Sequence, residues 1–210
     1  QRPPEHEATE HYGQRFRGRD VTIVDVGANA GVFSLPILTS SATTTVAVFF
    51  EPNPEMAARL RTNLGLNDIA GAHVIEAAVG DRKGAATLCF PPKKNLGEAK
   101  IGVSTDATQS IEVPMTPLLD ALVGLGLQKI DLLKVDIEGL EDKALVPFLK
   151  TAPPGLLPQE IYFEDVHSDQ WELDLMSTLA AAGYVLKRRF GHNAAYVLGD
   201  ASSNLNQDID

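Results

Sequence analysis

The stretch Val24-Asp-Val-Gly-Ala-Asn-Ala-Gly-Val32 decides the fold. It reads as a buried strand, then a tight glycine turn, then the opening of a helix. Such an arrangement bares backbone N–H groups at a helix N-terminus and lets a nucleotide-like ligand approach the main chain closely. A second apolar run over residues 46–50 ends at Glu51. That carboxylate lies about twenty residues past the loop, where it can accept both hydroxyls of a ribose. Together the loop and the acid predict a site for a ligand built on adenosine. Gly31 follows Gly27 by four residues, so the loop is not Gly-x-Gly-x-x-Gly and suits a ligand without a pyrophosphate. Asp25 is placed to orient the loop or to hold an ammonium group. The plainer alternative is a strand-to-helix turn capped by Asn29.

Working outward, apolar runs recur near residues 21–26, 45–50, 72–79, 130–136, 159–163, 184–188 and 194–198. Helical patterns fall between several of them, which predicts βαβ units and a mainly parallel sheet. Asn53 is expected to cap a helix that has Pro54 at its first position, carries Met56, Leu60 and Leu64 on one face, and stops at Gly65. Asp169 and Glu172 form a capping-box-like pair ahead of Trp171, Leu175 and Leu179. Residues 185–189 and 194–198, joined by Gly-His-Asn, predict an antiparallel hairpin closing the sheet. Residues 84–114 break the rhythm and read as two short strands around a mobile loop, a substrate loop or lid. The expected domain therefore spans 21–198, with residues 1–20 as a loose N-terminal arm or the remnant of an upstream segment and 199–210 as a polar tail. The chain opens on Gln1 rather than Met, which leaves room for an upstream segment.

With 210 residues, 44% of them hydrophobic, the chain can bury one full core. Lys and Arg number 18 against 28 Asp and Glu, a net charge of −10, which argues against a groove that tracks nucleic-acid phosphates. No run of ~18 apolar residues predicts a membrane span. The single Cys89 excludes an internal disulfide, suits a reducing, cytoplasmic setting and has no metal-ligand partners in sequence.

The second strong signal is Leu132-Leu-Lys-Val-Asp-Ile-Glu-Gly-Leu-Glu141. A buried parallel strand delivers Asp136 at its carboxyl end, where ligands sit in open α/β sheets. A carboxylate there is costly without a partner or a task. Glu138 and Gly139 follow in the turn, and Glu141 fits a helix's first turn, where acids are favoured. A third strand end carries Glu164, Asp165 and His167. Of these, Glu164 and His167 are candidate proton acceptors beside the same crevice.

These motifs, with Phe50-Glu-Pro-Asn-Pro54, resemble the FkbM-type methyltransferases, class I enzymes dependent on S-adenosylmethionine. The resemblance covers roughly residues 21–198. It implies a Rossmann-like, doubly wound, seven-stranded sheet with an antiparallel last hairpin. It also implies O-methylation of a hydroxyl on a sugar, polyketide or other small metabolite. By position, Asp25, Gly27, Ala28, Asn29 and Gly31 would surround the methionine portion of the cofactor and Glu51 would bind the ribose. Ala78, within Glu76-Ala-Ala-Val79, would border the adenine. Asp136 would lie near both the reactive methyl and the acceptor. The catalytic candidates are thus Asp136, Glu164 and His167, with no metal expected. Rival readings are a metal-assisted mechanism through Asp136, Glu138, Glu164 and Asp165, a catalytically inactive binding protein on the same fold, and an NAD-dependent oxidoreductase.

Overall fold

Thr22–Val26, buried at every position, form β1, an interior strand of the main sheet. The computed structural model describes residues 4–41, 45–90, 99–102 and 109–199. In chain order β2 is Val46–Phe50, β3 Ala72–Ile75, β4 Ala78–Val79, β5 Gly84–Phe90, β6 Lys100–Ile101 and β7 Gln109–Thr116. Then come β8 at Leu132–Val135, β9 at Glu160–Glu164, β10 at Tyr184–Phe190 and β11 at Asn193–Leu198. The helices are α1 (Pro4–Arg15), α2 (Ser34–Ser40), α3 (Pro54–Leu66), α4 (Leu118–Gly124), α5 (Glu141–Thr151) and α6 (Leu175–Ala181). Seven strands form one sheet in the order β10-β11-β9-β8-β1-β2-β3, parallel except where β11 meets β9 and β10. This is the expected doubly wound sheet with its antiparallel hairpin.

Alternate residues feed opposite faces, as the two-residue period of a strand requires. Val24, Val26, Val48 and Phe50 join a core with residues of α4, α5 and α6. Ile23, Ala47 and Phe49 join another with residues of α1, α2 and α3. Burial on both faces explains why the parallel strands read as apolar runs.

Register then builds the site. Val26 pairs with Phe50 on one side and Val135 on the other, and Val135 pairs with Phe163. The next residues, Glu51, Gly27, Asp136 and Glu164, therefore stand abreast along the carboxyl edge of the sheet. The strand order reverses between β1 and β8, the position where open α/β sheets bind ligands.

Several expectations need correction. The N-terminal arm is a packed helix. Ala8, Tyr12 and Phe16 of this segment are buried against the sheet. The Tyr12 ring meets Phe33, Tyr162 and Phe190, while its hydroxyl and Arg15 both bond the buried Glu160. The run over 72–79 splits in two, because β4 leaves the main sheet and pairs with β7. Within 84–114, β5 and β7 pair along their length and β6 joins them, giving a second sheet in the order β4-β7-β5-β6. Residues 91–98 and 103–108, where the mobile loop or lid was expected, lie outside the described residues, as does the tail from residue 200. Finally, the cap of α6 is Asp174, which accepts the Ser177 N–H at 2.9 Å. Asp142 captures the N–H groups of Glu172 and Leu173 at 2.9 Å, which pins that segment to α5 ahead of the helix. Asp169 lies instead in a short 3-10 turn, Ser168–Gln170. The cap of α3 is Asn53, as expected, accepting the Glu55 N–H at 3.0 Å.

Candidate active site

A cavity of about 260 Å³ opens between the carboxyl edge of the main sheet and the small sheet. Gly27, Ala28, Asn29, Glu51, Lys134, Asp136 and Glu138 supply its polar side and backbone. Met56, Ala77, Ala78 and Val79 form an apolar slot at the β2–β4 end, and Leu88 and Ile101 of the small sheet, with Ala99 just before β6, form a further apolar wall.

The loop after β1 is built differently from the expectation. Its N–H groups are not bared. Those of Gly27 and Ala28 donate to the Phe50 carbonyl, that of Asn29 to Glu51, that of Ala30 to the Asn29 side chain, and that of Gly31 to the Ala28 carbonyl. α2 begins only at Ser34, three residues beyond Gly31. The loop instead brings main chain into the cavity with little side-chain bulk. Gly27 has φ +77°, and a Cβ there would sit 1.9 Å from the Asp136 carbonyl oxygen, so only glycine lets β1 and β8 approach at this point. Asn29 adopts φ +51°, a conformation asparagine tolerates. Gly31 packs beneath the loop against Leu35 and Leu60.

Glu51 is buried, with one oxygen 2.7 Å from the Asn29 N–H and the other 2.8 Å from the Asn53 N–H. It therefore ties the glycine loop to the start of α3. Burial pushes its carboxyl above the usual range, against the opposing pull of the Asn53 and Asn29 N–H groups and the Lys134 charge. Asp25 does not reach the cavity. It is fully buried, with one oxygen 2.6 Å from the Ser34 hydroxyl and the other 3.2 Å from the Lys134 ammonium. The ammonium group that Asp25 was placed to hold is thus one from its own chain.

Asp136 follows β8 directly, half-buried in the cavity wall, its carboxylate 3.5 Å from Lys134. Glu138 sits at φ +60°, unfavourable for a glutamate, and meets Lys100 at 2.9 Å and His167 at 3.8 Å. Among the described residues Glu164 and His167 stand behind this turn rather than lining the cavity. Burial raises the Glu164 carboxyl, and the charges of Asp136 and Glu138 add to that. The fully buried Glu141 accepts the N–H groups of Ile137 and Gly139 at 3.1 and 3.2 Å and the Trp171 indole N–H at 3.2 Å. It stands in the first turn of α5, as expected, and turns back to fix the Asp136–Gly139 turn. Asp165 is engaged by Arg189 at 2.8 Å. Among the described residues no three His, Cys, Asp or Glu side chains converge as a metal-holding group.

The sequence reading missed Lys134 and the small-sheet wall. The available signal for Lys134 was one cation inside an apolar run ending at the candidate acid.

Comparison with known proteins matches the same motifs. The family model described as Methyltransferase FkbM domain matches residues 25–186. The chain belongs to the FkbM methyltransferase family. Methyltransferase sdnD of Sordaria araneosa is 27% identical, with 76% of this chain and 80% of that one covered. The 31-O-demethyl-FK506 methyltransferase FkbM of Streptomyces tacrolimicus is 29% identical, with 64% and 61% covered. The crystal structure of Methyltransferase FkbM from Methylobacillus flagellatus KT shares the fold with a TM-score of 0.60 at 18% identity, covering 94% of this chain. This FkbM-family chain spans 48% of the length of that solved chain. Among the described residues no helix is long and apolar enough to cross a membrane.

Proposed function

We propose that this FkbM-family chain transfers a methyl group from S-adenosylmethionine to a hydroxyl of a small metabolite in a cytoplasmic setting. The observation that carries the reading is the placement of Glu51 and Asp136 on either side of Gly27 along one sheet edge, facing one cavity. The residues lining the cavity suit the cofactor. Met56, Ala77, Ala78 and Val79 suit an adenine, Glu51 suits two ribose hydroxyls, and Gly27, Ala28 and Asn29 leave room for the methionine portion. When bound, the cofactor supplies a methyl already activated on a positively charged sulfur.

The protein's own tasks are then alignment and proton removal. Asp136 orients the acceptor hydroxyl or takes its proton, with Glu164 and His167 as the alternative acceptors. A raised Glu164 moves toward neutral pH, the direction a general base requires. The apolar wall of Leu88, Ala99 and Ile101 suits an acceptor with a nonpolar face. Oxygen as the methylated atom is supported by the name of the Streptomyces relative, a 31-O-demethyl-FK506 methyltransferase.

Incubation with methyl-labelled S-adenosylmethionine and a panel of hydroxylated acceptors tests this reading. Label should enter an acceptor and continue to do so after chelation. Cofactor binding without any transfer would support the inactive binding protein, and loss of transfer on chelation the metal-assisted route.

Glu51 also predicts a pH dependence. Its raised folded-state pKa means that its contribution to folding stability is present at low pH and lost as pH rises through that value. Cofactor binding selects the ionised form, so affinity should fall on acidification, starting above the range of an ordinary glutamate. Calorimetric titrations at several pH values should show this in the wild type, and the response should flatten in Glu51→Gln. Equal pH responses in the two proteins would remove Glu51 from the binding site.

A further inference from the structure

Lys134 is 4% exposed, in a strand whose other members, Leu132, Leu133 and Val135, are buried and apolar. Its register partner across the β1–β8 ladder is Asp25, so the two side chains share a face of the sheet. The Asp25 carboxylate alone would balance the ammonium charge. Yet Nζ also donates to the Gly27 carbonyl at 2.7 Å and lies 3.5 Å from the Asp136 carboxylate. A buried ion pair seldom stabilises a fold more than apolar residues of similar volume, so folding alone does not account for a lysine here. Its contacts join the two halves of the site.

We propose that Lys134 is a positioning residue whose single ammonium group fixes the cofactor loop at Gly27 and the acceptor-side acid Asp136 relative to one another. This rests on the methyl-transfer reading above. The path runs from α2 through the Ser34 hydroxyl to Asp25, then to Lys134, and from there to the Gly27 carbonyl and Asp136. Glycine at 27 turns its carbonyl inward onto the ammonium, and Asn29, two residues on, is left to meet Glu51. The Lys134 charge also favours the ionised form of Glu51. One cation between Asp25 and Asp136 leaves the group net negative, which suits the positive sulfur of the cofactor.

Three variants test the proposal: Lys134→Met, Asp25→Asn, and the pair combined. Each is read by thermal melting, by calorimetric titration with S-adenosylmethionine, and by hydrogen exchange at the amides of residues 28–31. Lys134→Met leaves Asp25 buried without its cation and should melt well below the wild type. The double variant removes both buried charges and should recover most of that loss. It should still bind the cofactor at least about tenfold more weakly, with faster exchange in the loop. Full recovery of both stability and affinity would reduce Lys134 to a counter-charge and overturn the proposal. So would an equal affinity loss in Asp25→Asn alone, or a double variant that recovers no stability. Wild-type protein that binds no S-adenosylmethionine would sink the methyl-transfer reading instead, and loop exchange would still report on Lys134.

Discussion

Replacing Gly27 with alanine should lower folding stability by roughly 3 kcal/mol or more, by backbone strain and overpacking together. The new Cβ would lie 1.9 Å from the Asp136 carbonyl oxygen and 3.0 Å from its carbon. Those are backbone atoms and cannot rotate away. Asp136 is also tied to β1 through its N–H, which donates to the Val26 carbonyl at 3.0 Å. The φ of +77° adds about 1–2 kcal/mol for any residue with a Cβ. Two other glycines supply the controls. Gly18 has φ +66° with nothing within 4 Å, so Gly18→Ala isolates the backbone term. Gly31 has φ +87° and would meet the Leu35 and Leu60 side-chain ends at 2.8 Å, which can turn aside. Urea or thermal unfolding should rank the losses Gly27→Ala, then Gly31→Ala, then Gly18→Ala. At about 2–4 °C per kcal/mol for a chain of this size, the first should melt roughly 6–12 °C early. A Gly27→Ala protein as stable as Gly18→Ala would mean that β1 and β8 do not meet as described.

Asp136→Asn should cut methyl transfer by about a hundredfold or more, the usual range for removing a proton acceptor from a reacting group. Its effect on cofactor affinity should be small. In the proposed site the ribose contact falls to Glu51, and Lys134 keeps Asp25 as its buried partner when Asp136 is neutralised. The fold should hold as well, because Asp136 is half-exposed and asparagine keeps its shape and the backbone bond to Val26. Label transfer from methyl-labelled S-adenosylmethionine, run beside calorimetry, separates chemistry from binding. Full turnover with normal affinity would shift the role of base to Glu164 or His167, and the Gln variants at those positions would then carry the loss.

The parts of this account that were legible in the sequence are those that depend on neighbours along the chain. The strand runs at 22–26, 46–50 and 132–135 declared themselves because both faces of a parallel strand are buried. Glu51 and Asp136 stood out as the acids ending such runs. The α3 cap was legible because Asn53 and Pro54 act on the turn that they begin. What escaped were features made by partners distant in sequence. The N–H groups of Gly27, Ala28 and Asn29 find Phe50 and Glu51 at the end of the neighbouring strand. Lys134 meets Asp25 through the ladder that sets β1 beside β8. α1 is held by contacts of Tyr12 and Arg15 with the buried Glu160, which a polar, weakly patterned segment does not advertise. In the 160s and 170s a local capping pair at Asp169 and Glu172 was overridden by Asp142, which claims the Glu172 and Leu173 amides from α5.

The most direct test of the central claim is calorimetric titration of the purified chain with S-adenosylmethionine, S-adenosylhomocysteine and NAD. The first two should bind with micromolar affinity, the third should not bind, and Glu51→Ala should lose binding. Absence of heat with both adenosyl ligands, or binding that survives Glu51→Ala unchanged, would contradict it.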